Sequence, residues 1–420
     1  MAETLAIQGG TPVRMKPFPA WPVFGAEEEN ALLRALRSGK WGRLDGDEVA
    51  RFERRFADYH QAKHAVAVVN GTVSLRIALL AADIRGGGEV IVPPYTFSAT
   101  ATAVIEANAA PVFADIELET FNLDPGAVEE AITPRTRAII PVHLGGLPVN
   151  MDALLEIARR HHLTLIEDAA HAHGAAYRGR RVGAIGQLGS FSFQSTKNLT
   201  SGEGGIILTN DDTLAERCRS IHNCGRVAGG EWYEHHTIGG NYRLGEFQGA
   251  ILNAQFDRFD VQAETRERNG KYLAERLARL AGVHPQQRGP DCTRHGYHLF
   301  PFRLDEQSLG VPRMAFLDAL AAEGIPCCAG YVLPLYRQPL FVNRAFGPYR
   351  GNPAGPQIDY RHTCCPRCET ISASQGAWLE QRLLLGSRED TDDIVQAFEK
   401  VHAQRERLAV AASVASEPSP

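Results

Sequence analysis

The chain has 420 residues, of which 44% are hydrophobic and 22% charged, enough for a substantial core and, as a soft prior, two or three domains. Its formal charge of −5, without any long block of Lys and Arg, removes the electrostatic basis for nucleic-acid or anionic-membrane binding. No apolar stretch approaches the roughly 20 residues of a membrane helix, "MAETLAIQGGTPVRMK" holds no apolar signal core, and the eight cysteines read as reduced thiols of a cytoplasmic protein.

In chain order, the first half alternates short Val- and Ile-rich runs with amphipathic segments. "HAVAVV" (64–69), "EVIV" (89–92), "PVFADI" (111–116), "RAIIPV" (137–142) and "LTLIED" (163–168) predict buried strands. "TVSLRIALLAAD", "TATAVIEAN", "PGAVEEAI" and "MDALLEIARRHH" predict the helices between them. This alternation implies an α/β fold with a mostly parallel sheet covered on both faces. Two more strands, "GSFSFQ" and "GGIILTN", surround Lys197.

Residues 244–282 lack Pro and read as one long connecting helix, weakened mildly by the interior Gly249. Beyond it "GYHLFPFRLD" and "GIPCCAGYVLPLY" predict strands, and "RMAFLDALAAEG" and 389–408 predict helices, giving a smaller α+β domain. The expected organisation is an N-terminal arm (1–20), a large domain (21–255), a small C-terminal domain (256–408) and a disordered tail (409–420).

Open parallel sheets bind ligands beyond the carboxyl ends of their strands, and three loaded stretches fall there. Asn70-Gly71-Thr72 follows a strand and opens a helix, so its backbone N–H groups and the Thr72 hydroxyl form either a phosphate cradle or a plain capped turn. "EDAAHAHG" (167–174) ends a strand in Asp168, followed by His171 and His173. Asp168 is suited to hold a positive charge on a bound ring and His171 to orient that ring; a helix cap or a zinc site is the alternative. Lys197, in "FSFQSTKNLTSGEGG", is either a solvated surface charge or an amine made nucleophilic by burial. A phosphate cradle, a strand-end aspartate and a lysine on one sheet edge are the parts that pyridoxal 5′-phosphate requires. "GAIGQLG" has the wrong glycine spacing for a dinucleotide fingerprint. The cluster Cys364, Cys365 and Cys368 includes one C-x-x-C pair but lacks a second ligand pair for structural zinc.

"PPYTFSATATAVIEANAAPVFADIELETFNLDP", "EDAAHAHGAAYRGRRVGAIGQLGSFSFQSTKNLTSGEGG" and "NYRLGEFQGAIL" follow one another in an order and spacing that resemble the DegT/StrS family of pyridoxal-phosphate sugar and cyclitol aminotransferases, over about residues 10–400. The resemblance implies a fold type I transferase with a seven-stranded-type large-domain sheet, working as a homodimer with active sites shared across the interface. It implies that Lys197 forms the Schiff base with the cofactor and shuttles the substrate proton, while Asp168 pairs with the pyridine nitrogen. Phe97 would stack on one ring face, Ala170 would pack beneath the other, and His171 would support the ring hydroxyl. Gly71, Thr72 and Ser192 would hold the phosphate, joined by Asn241 from the neighbouring subunit, and Gln194 would contact cofactor or substrate.

A lysine at position 197 favours transamination, since relatives with histidine there are dehydratases. "FPAWPVFG", "GKWGRLDGDEV" and "GYVLPLYRQPLF" are similar to the branch of glutamine:scyllo-inosose aminotransferases and 3-amino-5-hydroxybenzoate synthases. The expected reaction moves an amino group from glutamine or glutamate to a keto-cyclitol or keto-sugar. Trp41, Tyr331 and Tyr336 are candidates for the acceptor pocket, with core or interface packing as the alternative. An aromatizing synthase, a nucleotide-sugar aminotransferase and a noncatalytic cofactor-binding protein are the rival readings.

Overall fold

The computed structural model describes residues 4–346 and 358–408, so the expected disordered tail lies outside the described residues. Seven strands form the large sheet: His64–Val68 (β1), Glu89–Val92 (β2), Ala110–Phe113 (β3), Thr136–Ile139 (β4), Thr164–Asp168 (β5), Leu188–Ser192 (β6) and Gly205–Thr209 (β7). Their order across the sheet is β1-β7-β6-β5-β4-β2-β3. β7 runs antiparallel to both neighbours and every other pairing is parallel, as the strand-helix alternation predicts.

Period-two alternation splits the core between the two faces of this sheet. Val66, Val68, Val90 and Val92 enter one cluster with Leu75, Leu79 and Val104, from the helices Gly71–Ala81 (α1) and Ala99–Glu106 (α2). Ala65, Ala67, Ile91 and Leu165 face the other way, onto Phe52, Phe56 and Leu154. Apart from the exposed Arg137 of β4, the strands are buried or nearly so on both sides, which is why the predicted runs are continuous rather than alternating in hydrophobicity.

The long helix spans Glu246–Leu277 (α3), shorter at both ends than 244–282. Its interior glycine has a packing reason: a Cβ on Gly249 would come within 2.8 Å of the Val49 backbone nitrogen, at the start of the helix Glu48–His60. One turn earlier, the buried Glu246 carboxylate accepts from the Glu48 N–H at 2.6 Å and the Val49 N–H at 3.3 Å, serving donors that every helix start leaves unpaired.

A second sheet of Val283–Pro285, Leu299–Leu304 and Gly376–Glu380 packs its core on Leu273 and Leu277 of α3 and on the helices Arg313–Ala322 and Arg388–Ala403. Leu5 and Phe18 of the N-terminal segment join that core, and Arg14 ties the segment to Asp390 (2.8 Å) and Asp393 (2.7 Å).

The strand expected over "GIPCCAGYVLPLY" does not form. Only a single bridge, Cys328 to Trp378, pairs there, and the run ends in a 3-10 turn at Leu335–Arg337. Pro326 and Pro334 carry no N–H for a ladder, and Gly330 adopts φ 75°, which turns the chain out of line. A Cβ at Gly330 would also collide with the Tyr95 hydroxyl.

Candidate active site

The carboxyl edge of the large sheet gathers the loops after β1, β2, β4, β5 and β6 around one cavity of about 650 Å³. Gly71, Thr72, Phe97, Asp168, Ala170, His171, Ser192, Gln194, Lys197 and Tyr331 all line it.

The cradle forms where β1 gives way to α1. Asn70 caps α1, its Oδ1 accepting from the Val73 N–H at 2.9 Å. That leaves the N–H groups of Gly71 and Thr72, at the positive end of the helix dipole, to an anionic ligand. A Cβ on Gly71 would approach the Ser192 Cβ to 2.7 Å, so the absence of a side chain is what keeps the cradle open beside that serine. Asn70 thus acts as the helix cap, and the next two residues keep their N–H groups on the cavity side.

Asp168 ends β5 and is buried. Its Oδ2 accepts from the Thr100 hydroxyl at 2.8 Å and its Oδ1 from the Ala170 N–H at 3.2 Å. Burial pushes the carboxyl up, opposed by these two hydrogen bonds and by the charge of Lys197. A cationic ring nitrogen arriving beside it reverses that desolvation cost, since an opposite charge favours the carboxylate.

Lys197 closes a turn in which its N–H donates to the Gln194 carbonyl at 2.9 Å. Desolvation pulls its ammonium down to about 8, with Asp168 acting in the opposite direction. The amine is therefore far easier to deprotonate than a solvated lysine, which a nucleophile requires. The next residue anchors the turn: Asn198 Nδ2 donates to the Gly296 carbonyl at 2.7 Å, and its Oδ1 lies 3.3 Å from His298 Nδ1. His171 packs against His298 with ring centroids 4.4 Å apart and the planes tilted by 41°. Burial first, then the charge of Lys197, pushes both imidazoles well below their ordinary range, so they are neutral polar walls. His173 is buried away from the cavity, beside Phe191 and Phe193.

Gln194 sits at the mouth, its Oε1 accepting from the Thr196 N–H (2.9 Å) and hydroxyl (2.8 Å), its Nε2 donating to Ser195 Oγ at 2.7 Å. Phe97 is 60% exposed at the rim. Tyr331 packs edge-on against Trp378 with centroids 5.0 Å apart, and the two form an aromatic wall.

Three predicted residues lie elsewhere in the chain. Trp41 is 54% exposed, donates to the Leu36 carbonyl at 3.1 Å and packs against Phe247, outside the cavity. Tyr336 is a core residue: its hydroxyl donates to Glu369 at 2.6 Å and accepts from the Cys365 N–H at 3.0 Å. Asn241 is exposed on the segment that follows the helix Asp212–His222, bridging to Asn223 rather than lining this cavity. Cys365 and Cys368 are buried beside Tyr336, and burial pushes the Cys365 thiol up to about 12, opposite to what thiolate chemistry needs.

The residues missing from the sequence reading are Thr100, His298 and Trp378. Thr100 stands three residues after Phe97 on the first turn of α2, a local signal that could have found it. His298 and Trp378 carry no such signal, because only the second sheet brings them to this edge.

A family model described as the DegT/DnrJ/EryC1/StrS aminotransferase family matches residues 23–375. The chain is 40% identical to the 3-amino-5-hydroxybenzoate synthase of Amycolatopsis mediterranei, over 88% of this chain and 93% of that one. It is 39% identical to the L-glutamine:2-deoxy-scyllo-inosose aminotransferase of Micromonospora echinospora, over 96% and 99%. The crystal structure of a 3-amino-5-hydroxybenzoic acid synthase superposes with a TM-score of 0.84 at 36% identity, covering 94% of this chain and all of that one. A cavity holding a helix-start cradle, a buried strand-end aspartate and a desolvated lysine thus sits on a chain that belongs to the DegT/DnrJ/EryC1/StrS aminotransferase family.

Proposed function

We propose that this aminotransferase moves the amino group of glutamine onto a keto-cyclitol of the scyllo-inosose type, in two half-reactions. The observation that carries the reading is Lys197, desolvated and sharing one cavity with the buried Asp168 and the open cradle at Gly71. The residues present fit pyridoxal 5′-phosphate, the cofactor of this aminotransferase: a donor-rich helix start for its phosphate, a carboxylate for its ring nitrogen and an amine for its aldehyde.

When bound, the cofactor supplies a carbonyl that stores the amino group and a ring that takes up an electron pair. The chain does the rest. Gly71, Thr72 and Ser192 would hold the phosphate, and Asp168, its carboxylate fixed by Thr100, would keep a proton on the ring nitrogen. Phe97 and Ala170, which both line the cavity, would bracket the ring, and His171 would orient it. Lys197 Nζ would be the amine that holds the cofactor's aldehyde and, once freed from it, the base for the proton on the substrate carbon bearing nitrogen. Its lowered proton affinity suits it to both tasks near neutral pH.

A neutral ring as acceptor agrees with the walls of the cavity. Lys197 is the one cationic side chain lining it among the described residues, which leaves little to neutralise a nucleotide diphosphate, while Gln194, Tyr331 and Trp378 offer hydrogen bonds and ring faces. A second copy of the chain completes the site in this reading, bringing Asn241 to the phosphate. The apolar Trp232, Tyr233 and Ile238, exposed on the same segment, support such a covering. A cytoplasmic location accords with the reduced cysteines; among the described residues, no helix is long and apolar enough to cross a membrane.

Incubation of the holoenzyme with L-glutamine and 2-deoxy-scyllo-inosose tests the reading. It predicts an aminocyclitol and the keto acid of glutamine in equal amounts. The similarity to 3-amino-5-hydroxybenzoate synthases defines the second reading. An aromatic amine formed from an unsaturated keto-cyclic acid, with the keto-cyclitol left unchanged, would establish it instead.

A further inference from the structure

Three distant segments meet beneath the turn that carries Lys197. Trp21, from the N-terminal stretch "FPAWPVFG", is half-buried, and its indole Nε1–H donates to the Ser195 carbonyl at 2.9 Å. Ser195 is a central residue of the turn closed by the bond from Lys197 N–H to the Gln194 carbonyl. On the other side of the indole stands Arg266, from the middle of α3, its guanidinium carbon 5.1 Å from the ring centroid. Arg266 is completely buried. Its Nε donates to the buried Gln381 side chain at 2.8 Å, just past the strand Gly376–Glu380. Its two terminal nitrogens have no hydrogen-bond partner, and no carboxylate among the described residues pairs with it.

A buried cation without a counter-ion is costly unless something else faces it, and the Trp21 indole does. The pairing works in both directions. The aromatic face stabilises the guanidinium, and the guanidinium, anchored through Gln381, fixes the indole with its N–H aimed at Ser195. This side of the turn is held by the indole N–H on the Ser195 carbonyl. Its other side is held by Asn198 against Gly296.

We propose that Trp21, clamped by Arg266, is a positioning residue for Lys197: it holds the Ser195 carbonyl and so sets the turn from which the amine reaches the reacting carbon. Through it the N-terminal segment and the second sheet both bear on proton transfer. Neither Trp21 nor Arg266 lines the cavity, so the effect runs through Lys197 and not through substrate contact. The proposal rests on Lys197 being the reactive amine, which borohydride trapping of the wild-type enzyme tests separately.

Trp21→Phe keeps a ring over Arg266 and removes only the N–H. Hydrogen exchange of the holoenzyme, read by mass spectrometry, reports the Lys197 amide directly. The expected result is exchange about tenfold faster in the peptide spanning 194–197, with the strands of the large sheet unchanged. The rate of the donor half-reaction should fall by a similar factor, with KM for glutamine and for the cyclitol within about twofold. Arg266→Met, which keeps the volume but not the charge, should give the same local exchange to a smaller degree. Unchanged exchange at 194–197 in Trp21→Phe would overturn the proposal. So would faster exchange spread evenly over the chain, or a change in KM alone.

Discussion

The two walls of the cavity are built in different ways. The inner wall consists of strand ends of one sheet: Gly71 after β1, Asp168 closing β5, Ser192 closing β6 and Lys197 just beyond. The outer wall is assembled from far-apart parts: His298 before the strand Leu299–Leu304, Tyr331 after the turn at Gly330, and Trp378. Backbone pairing fixes the first to within the register of the sheet, while the second depends on how the smaller sheet packs on the larger. The inner wall is therefore suited to hold the groups that perform chemistry, and the outer wall to select what is acted upon.

Substitutions should separate the two walls. The largest effect is expected on the inner one: Lys197→Ala should lower turnover by about 10⁴-fold in single-turnover assays while leaving the circular dichroism spectrum unchanged. Asp168→Asn, which keeps the shape but cannot hold charge at the ring nitrogen, should cost about 10²–10³-fold in both half-reactions. Thr100→Val removes the 2.8 Å donor to Asp168 and should slow both by about tenfold. On the outer wall, Trp378→Leu should raise KM for the cyclitol about fivefold and alter the glutamine half-reaction less. Equal losses in both would erase the distinction between the walls.

The remaining expected effect is on stability rather than on turnover. The folded-state pKa of Lys197, about 8, lies below the ordinary 10.5. Between those values the unfolded chain binds the extra proton, so folding is favoured progressively as pH rises through that window. Chemical denaturation of the cofactor-free wild type should gain stability relative to Lys197→Met between pH 8 and 10.5, and the difference should be flat below pH 7.

The same contrast explains what could be read in the sequence. Strand ends are local: an apolar run followed by a turn marks its own end, so the positions of Asp168 and Gly71 at the sheet edge are legible before any packing is known. Lys197 became legible through its glycine-rich surroundings and its place in the family pattern. His298, Tyr331 and Trp378 are placed by contacts between remote segments, and nothing near His298 or Trp378 in the chain announces them. Trp41 and Tyr336 were proposed for that wall because aromatic residues often line pockets. In the fold Trp41 packs on Phe247 and Tyr336 is consumed by the core, with its hydroxyl bound to Glu369. The missing strand before Leu335 has a similar lesson, since its apolar composition serves packing around Gly330 while two prolines deny it a ladder.

All the proposed chemistry depends on where the vitamin B6 aldehyde is attached. Reduction of the yellow holoenzyme with borohydride, followed by digestion and mass mapping, locates it directly. The expected result is a single peptide carrying the reduced cofactor mass on Lys197. Recovery of that mass on any other lysine, or of unmodified Lys197 with cofactor released, would contradict the assignment.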